Sequence, residues 1–198
     1  FGIYIGSSLH ILAGGKVNIG TILITGTDTT GNTINPTQTP NLADVTLSNG
    51  RTLAINGSTN PTVDIRSGMN PSDIGISGII GADFFSCAFF GANCFYNNSL
   101  TGIVLPSTNQ GATGDGITIG DIKVDSPNGI ILLTNNYKPN LALSNEDIVI
   151  TGTGRFGFQG IDTFSSTGNS GSVFVDSRRS IELTRNIFTL STAVSGVG

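Results

Sequence analysis

Residues 173–183 read VFVDSRRSIEL, and their pattern recurs along the chain. Val173 and Val175 are two apolar residues at alternate positions, and five mostly polar residues separate them from Ile181 and Leu183. Side chains of an extended strand point alternately to its two faces, so each apolar pair is typical of a short strand with one buried face. This stretch therefore predicts two short strands joined by a polar connection.

Four other segments repeat this unit. They are Leu9/Ile11 before Val17/Ile19, Val45/Leu47 before Leu53/Ile55, Ile122/Val124 before Ile130/Leu132, and Leu141/Leu143 before Ile148/Ile150. The first three have the same five-residue interval, and the last has four residues. Phe156/Phe158 and residues 187–190 supply a third strand after two of the pairs, which predicts three short strands in each circuit of the chain.

The residues in the intervals decide between a corner and a hairpin. Asn49-Gly50 alone is a good hairpin signal, but the equivalent residues elsewhere include Pro127-Asn128 and Arg178-Arg179. A type I′ turn needs positive φ at both central residues, which Pro cannot adopt and two Arg would resist. The interval therefore favours corners, and corners between three strands per circuit predict a right-handed parallel β-helix with like residues stacked in ladders. A β-sandwich is the alternative.

The expected ladders have their members in several of the units. They include Val45, Leu53, Ile122, Ile130, Ile148, Val173 and Ile181. Charged residues make up 11% of the 198-residue chain and Gly 28 positions, and no sustained helical stripe is present, which indicates an all-β protein. We expect one domain over residues 1–198, with excursions from the framework at 27–44 and 82–99.

The charge pattern argues against two kinds of partner. The net charge is −4 and the Lys and Arg residues are scattered, so no basic patch for nucleic acid is present. No apolar run approaches the roughly 20 residues that span a bilayer, so we expect no membrane span. The start, FGIYIGSSLH, lacks signal-peptide features, and we expect the sequence to be a fragment of a longer chain.

The second excursion is rich in aromatic residues and contains both cysteines, Cys87 and Cys94. A disulfide between them is favoured over free thiols, would contribute about 2.5 kcal/mol in the chain-entropy model, and indicates an oxidising compartment. The aromatic rings of this excursion either cover a hydrophobic end of the fold or form an exposed recognition loop. They are Phe84, Phe85, Phe89, Phe90, Phe95 and Tyr96.

No catalytic or metal-binding constellation is recognisable. The carboxylates considered for sugar hydrolysis are Asp115, Asp121, Asp125, Glu146 and Asp147, all at turns or strand edges, where Asp usually bonds its own backbone. The single His10 is expected to face solvent or join a ladder, and with one His a zinc site has too few ligands. Arg178-Arg179 fits either an anionic-sugar clamp or an exposed corner. We expect no cofactor and no metal.

GSVFVDSRRSIELTRNIFTLSTAVSGVG resembles the strand–turn–strand repeats of filamentous-haemagglutinin-like exoproteins, bacterial surface proteins of the two-partner secretion route. SLHILAGGKVNIGTILITGTDT and VTLSNGRTLAINGSTNPTVDIRSG are similar to parts of the same kind of protein. SPNG at 126–129 and KPNL at 138–141 come near the family's NPNG and NPNL motifs but differ at the first residue, and no secretion role is assigned to them.

The resemblance implies a right-handed β-helix displayed on or shed from the cell, where it serves in adhesion or as extracellular matrix. We therefore expect a non-enzymatic, extracellular or cell-surface, outer-membrane-associated structural or adhesive segment. Its expected partners are glycans or cell-surface proteins, and its coils are expected to stack between molecules. A carbohydrate-active enzyme, a polysaccharide hydrolase or lyase on the same fold, is the alternative.

Overall fold

The computed structural model describes residues 3–13, 16–29, 34, 36–37, 40–67, 102–105, 116–135, 146–154, 157 and 160–194. Within these ranges the protein is all-β apart from one helical turn, α1 (Pro40–Ala43). The strands are β1 (Ile3–Ser7), β2 (Leu9–Ala13), β3 (Val17–Gly26), β4 (Asp44–Thr46), β5 (Thr52–Ala54), β6 (Thr62–Arg66), β7 (Gly102–Leu105), β8 (Ile117–Asp125), β9 (Ile130–Thr134), β10 (Ile148–Ile150), β11 (Gly160–Ser165), β12 (Ser172–Asp176), β13 (Ile181–Leu183) and β14 (Asn186–Ser191).

The strands form two large sheets in which every pairing is parallel. Sheet A has the order β1-β3-β8-β10-β13, and β11 lies between β8 and β14. Sheet B has the order β12-β9-β6-β2-β7. In these sheets β3 and β6 lie beside β8 and β9, and β8 and β9 lie beside β10, β11 and β12, so these strands stack in chain order. β7 is an exception, because it follows β6 along the chain and pairs with β2. The prediction of parallel strands is confirmed.

The long strand β8 serves as two half-strands. Its inward positions are 117 and 119 in the first half and 122 and 124 in the second, so the alternation shifts by one residue at Gly120 and Asp121. The first half pairs with β10 and the second half with β11. A Cβ at Gly120 would lie 2.7 Å from the backbone oxygen of Gly20, so only glycine fits this bend.

The main core lies between the inward faces of the two sheets, and like residues stack across neighbouring strands. Ile22 pairs with Ile122, and Ile122 pairs with Ile161; all three side chains are fully buried. In sheet B, Ile65 pairs with Leu133 and Leu133 with Val175. Parallel strands lie about 4.8 Å apart, which brings such branched side chains into direct contact. Apolar ladders are therefore present, although several of their members differ from the residues expected.

Three of the repeated units are corners. The chain passes from β2 in sheet B to β3 in sheet A, from β8 in sheet A to β9 in sheet B, and from β12 in sheet B to β13 in sheet A. The corner after β8 contains Asn128 in the left-handed region, with φ 56°. The corner after β12 contains Arg178 and Arg179, where no hairpin forms. The unit that starts at Leu141 lies partly outside the described residues.

The unit around Asn49-Gly50 is different, and the expectation of a corner there is wrong. β4 and β5 form an antiparallel hairpin in which Val45 pairs with Leu53. Gly50 has φ 82°, a conformation that glycine adopts without strain, and the Asn49 side chain accepts a hydrogen bond from the Arg51 N–H. The Asn-Gly pair therefore favours a hairpin turn in this unit. Pro127 and Arg178 disfavour such a turn at the equivalent positions of the other units.

The hairpin belongs to a layer over the outer face of sheet B, formed by residues between β3 and β6. Its buried side chains form a second apolar cluster with Leu12 and Leu132 of sheet B and with the half-buried Ile130 and Phe174. The members from the layer are Ile34, Leu42, Ala43, Val45, Leu47, Leu53 and Ile55. Sheet B thus has apolar side chains on both faces, and we call the described residues that cover it, 28–29, 34, 36–37 and 40–57, the outer layer.

The outer layer explains where the expected ladders differ from the structure. Val45, Leu53, Ile122 and Ile148 are buried, but Val45 and Leu53 belong to the hairpin and not to a ladder. Ile130 packs on the second cluster, because Ile131 and Leu133 are the residues of β9 that face the main core. Val173 is partly buried. Ile181 is 45% exposed, since its strand β13 has a described neighbour on one side only.

Candidate functional site

Each carboxylate considered for hydrolysis that the structure describes has a separate structural role. Asp121 is fully buried and accepts hydrogen bonds from the Thr153 N–H at 2.9 Å, from the Thr153 hydroxyl, and from the Gly160 N–H at 3.0 Å. It therefore fixes the connection from β10 to β11 beside the bend of β8. Its side chain has zero exposure, so its role in the described structure is to hold these two backbone N–H groups.

The other described carboxylates of this set lie at strand ends, and each has a cationic group within 4 Å. Asp125 Oδ2 lies 3.6 Å from Lys123 Nζ. Glu146 Oε2 lies 2.7 Å from Lys16 Nζ. Asp147 Oδ1 accepts a hydrogen bond from the Ser180 N–H at 3.1 Å and lies 3.6 Å from Arg179 Nε. Arg179 therefore lies at an exposed corner, which is one of its two expected roles. Asp115 lies outside the described residues. Across the described ranges no three His, Cys, Asp or Glu side chains come together as metal ligands.

A buried ionic cluster lies between sheet B and the outer layer. Asp64 on β6 accepts hydrogen bonds from Arg66 Nε and Nη2 at 2.8 Å each, and His10 Nδ1 lies 3.1 Å from Asp64 Oδ2. All three side chains have zero exposure. Arg66 Nη2 also donates to the backbone oxygen of Leu42 in α1 at 2.8 Å. The cluster therefore connects the sheet to the outer layer.

His10 was expected to face solvent or join a ladder. It is directed opposite to Leu9 and Ile11, as the strand period requires, but the solvent-facing alternative is wrong because the outer layer covers this face. Its neighbour across the sheet is Asp64, the residue in register with it. The sequence separation of 54 residues hides this pairing from any local pattern.

The ionic cluster keeps Asp64 charged. Burial by itself raises the pKa of Asp64, but the charge of Arg66 and the hydrogen bonds from His10 and Arg66 lower it more, to about 2. A sealed carboxylate that is paired in this way suits a structural clamp better than proton transfer, because no substrate reaches a side chain with zero exposure.

The hairpin end of the outer layer is attached to β12. Asp176 accepts hydrogen bonds from the Ser48 N–H at 2.8 Å and from the Ser48 hydroxyl at 2.5 Å. The Arg51 guanidinium lies 4.9 Å from the centre of the Phe174 ring, within the range of a cation–π contact. Polar contacts thus hold the layer at both ends, and its apolar residues fill the space between them.

The aromatic segment and its two cysteines lie outside the described residues. This applies to the proposed disulfide of Cys87 and Cys94 and to every ring of the candidate recognition loop: Phe84, Phe85, Phe89, Phe90, Phe95 and Tyr96. Both interpretations of these residues stay predictions. No helix in the described part of the chain is long and apolar enough to cross a membrane.

One exposed surface combines apolar and charged side chains on the outer face of sheet A. It comprises the outward positions of β8, β11 and β14, namely Lys123, Asp125, Asp162, Phe164, Phe188 and Leu190, and we call it the outer strip. In register, Lys123, Asp162 and Phe188 form one row, and Asp125, Phe164 and Leu190 form the next. Phe188 is 47% and Leu190 52% exposed, and the inward-facing Ile187 between Asn186 and Phe188 is 41% exposed.

The central carboxylate of the outer strip is Asp162. Burial raises its pKa, while Lys123 lowers it and Asp125 raises it, and the net shift is upward. Lys123 instead forms its ion pair with Asp125, and its ammonium lies 5.7 Å from the centre of the Phe164 ring. No described residue donates a hydrogen bond to the Asp162 carboxylate or forms an ion pair with it.

Sequence reasoning did not single out Asp162, Phe164 or Phe188. A usable signal was present in β14, NIFTLS, where large apolar residues occupy both phases of the strand period. Ile187 accounts for the inward face, so Phe188 and Leu190 had to lie outward. Which strands lie beside them could not be read locally, because β8 and β11 are distant in sequence.

A scan against protein-family models and searches of curated proteins and of solved structures found no match to this chain.

Proposed function

We propose that this chain is a non-enzymatic, structural or adhesive segment of a haemagglutinin-like exoprotein, located outside the cell or on its surface, and folded as a right-handed parallel β-helix. The observation that carries the proposal is the parallel pairing of the two large sheets, in which β8 lies between β3 and the strands β10 and β11 of sheet A, and β9 lies between β6 and β12 of sheet B. A stack of such circuits presents a long, rigid surface.

The parallel pairing supports the β-helix over the β-sandwich. Sandwiches are built from antiparallel strands with hairpin and Greek-key connections. In the described residues the only antiparallel pair is β4 with β5, which lies outside both large sheets. The corners at Asn128 and Arg178 lead from one sheet to the other, as a β-helix requires.

The separate roles of the carboxylates support a scaffold over an enzyme. Sugar hydrolysis needs two carboxylates that converge on one bond. Asp121 holds backbone N–H groups, and Glu146 and Asp147 pair with cations at corners. The low charge of the chain and its amide-rich and hydroxyl-rich composition also suit a surface that meets solvent or glycans.

Two assays on residues 1–198 test the proposal together. We expect the protein to bind to cultured cells or to cell-wall preparations in a saturable manner and to release no reducing sugar from a panel of polysaccharides. Release of reducing ends that is lost in a heat-denatured control would contradict the scaffold proposal and establish the hydrolase. Unsaturated products absorbing near-ultraviolet light would establish the lyase.

Stacking between molecules is the expected form of self-association. Ile181 and Leu183 point inward from β13 yet are exposed, so their strand offers an apolar surface and one edge that no described strand pairs with. Sedimentation velocity over a hundredfold range of concentration should show reversible association. A single species at all concentrations would contradict it.

A further inference from the structure

We propose that the outer strip is a binding site for a neutral polysaccharide, whose sugar rings stack on Phe188 and whose hydroxyl groups donate hydrogen bonds to Asp162. This assignment rests on the adhesive function proposed above and gives it a surface and a ligand class. It is independent of the aromatic segment at residues 82–99.

The apolar part of the strip suits the flat face of a sugar ring. Phe188 and Leu190 are exposed on β14, and Phe164 lies beside Leu190 on β11. Neighbouring strands are about 4.8 Å apart and alternate residues on one strand about 6.7 Å apart, so these side chains are neighbours on one face of the sheet. A pyranose ring presents C–H groups on its faces, which pack on aromatic rings and aliphatic side chains through dispersion.

The polar part of the strip suits the hydroxyl rim of the same ring. Asp162 lies between Lys123 and Phe188 in one row of the strip. Its carboxylate is partly desolvated and receives no hydrogen bond from a described residue, so ligand hydroxyls would restore the bonds that burial removes. Charged acceptors form stronger hydrogen bonds than neutral ones, which makes this carboxylate the expected polar anchor.

The charges of the strip select against anionic ligands. The strip contains one ammonium, Lys123, and two carboxylates, Asp125 and Asp162, and the ammonium is already paired with Asp125. A uronate or sulfate group would therefore meet net negative charge. A neutral polymer avoids this repulsion and can use the Asp162 carboxylate as an acceptor.

The outer faces of the two sheets differ in what covers them. The outer face of sheet B also has large apolar side chains, and there the outer layer buries Leu12 and Leu132 and places Arg51 over Phe174. On sheet A no described residue covers Phe188 or Leu190 in this way, and both remain about half exposed. A solvent-exposed apolar strip that has charged groups within it is typical of a binding surface.

The test is affinity gel electrophoresis of the folded protein in gels that contain dextran, xyloglucan or galactomannan, with alginate as the anionic comparator. We expect retardation by at least one neutral polymer and none by alginate. Phe188→Ala and Asp162→Ala should each weaken binding to that polymer at least tenfold. Circular dichroism of each variant checks that the sheets are retained.

Two matched controls lie away from the strip. Ile5→Ala removes an apolar side chain that is 43% exposed on the same face of sheet A, at its far edge on β1. Glu182→Ala removes an exposed carboxylate on β13. Both variants should bind as the unmodified protein does. A loss of binding in the controls equal to that in the strip variants would overturn the assignment.

The remaining outcomes also decide the question. If no neutral polymer retards the protein, or if only alginate does, the site is wrong. If the protein binds cells but no glycan, and Phe188→Ala binds cells normally, the glycan site is wrong and the adhesive function is supported. If cell binding is absent and neutral-glycan binding depends on Phe188, the site stands and the adhesive function falls.

Discussion

Asp64 and Arg66 lie two residues apart on β6 and form a two-point ion pair with zero solvent exposure, in which Arg66 Nε and Nη2 each lie 2.8 Å from a carboxylate oxygen. Residues at i and i+2 of a strand share a face, so the pair requires no distortion of the backbone. The same Arg66 nitrogen, Nη2, reaches the oxygen of Leu42. One strand therefore supplies both halves of the clamp that holds the outer layer.

Asp64→Ala should destabilise the protein by about 3–5 kcal/mol, because the substitution leaves the Arg66 charge buried without its carboxylate. Urea unfolding followed by circular dichroism measures this change. Asp125→Ala, which removes an exposed ion pair with Lys123, is the matched control and should cost about 1 kcal/mol or less. Equal losses for the two variants would mean that the buried pair contributes no more than a surface pair.

The same carboxylate predicts how stability changes in acid. The pKa of Asp64 is about 2 in the folded protein, whereas an unperturbed Asp, as in the unfolded chain, has a pKa of 3.8. The unfolded chain therefore takes up the proton first as the pH falls. The stabilisation from Asp64 is present above pH 3.8 and is lost progressively towards pH 2, and it amounts to roughly 2 kcal/mol. Unfolding measured between pH 5 and 2 should show a shallower decline in Asp64→Asn than in the unmodified protein. Parallel declines would place the acid sensitivity elsewhere.

Gly120→Ala should destabilise the bend of β8 by about 1–3 kcal/mol, because the added Cβ would lie 2.7 Å from the backbone oxygen of Gly20. Gly26→Ala is the matched control, since nothing lies within 4 Å of a Cβ at that position. Thermal unfolding of both variants measures the difference. A Gly120→Ala protein as stable as Gly26→Ala would show that β3 and β8 can separate at the bend without cost.

Cys87→Ser with Cys94→Ser should lower the free energy of unfolding by about 2.5 kcal/mol or less, because the loop that the predicted disulfide closes is short. The far-ultraviolet circular dichroism spectrum should stay unchanged, and thiol titration of the unmodified protein should find no free thiol. If the double variant loses its β signal and aggregates, the aromatic residues belong to the core and their role as a recognition loop is excluded.

The sequence was sufficient for the strands and for most corners, because both depend on local chemistry. The alternation of Ile148 and Ile150 marks a strand, and Pro127 excludes a tight reversal. The hairpin was missed because its spacing equals that of the corners, although Asn49-Gly50 by itself pointed to it. Local turn residues therefore deserved more weight there than the constant interval.

The faces of β9 and the candidate site were beyond local reasoning. The sequence of β9, IILLT, is apolar at alternate positions of both faces. The outer layer explains why Ile130 can point outward while Ile131 points into the main core. The outer strip likewise depends on the neighbours of each strand, since Asp162 lies beside Lys123 and Phe188 only after β8, β11 and β14 have paired. Long-range register of this kind leaves no mark in a short window of sequence.

The pairing of β3 with β8 also has a consequence for the order in which the molecule can assemble. Val17 lies beside Ile117, so the partner of β3 leaves the ribosome a hundred residues later, which takes roughly 5–20 s at ordinary rates of synthesis. During this delay the β3 backbone has an open edge on that side. Contacts between such distant segments make folding slow. The nascent chain therefore passes through a stage in which a newly formed strand is available to wrong partners, and its yield will depend on how well that edge is shielded until β8 arrives.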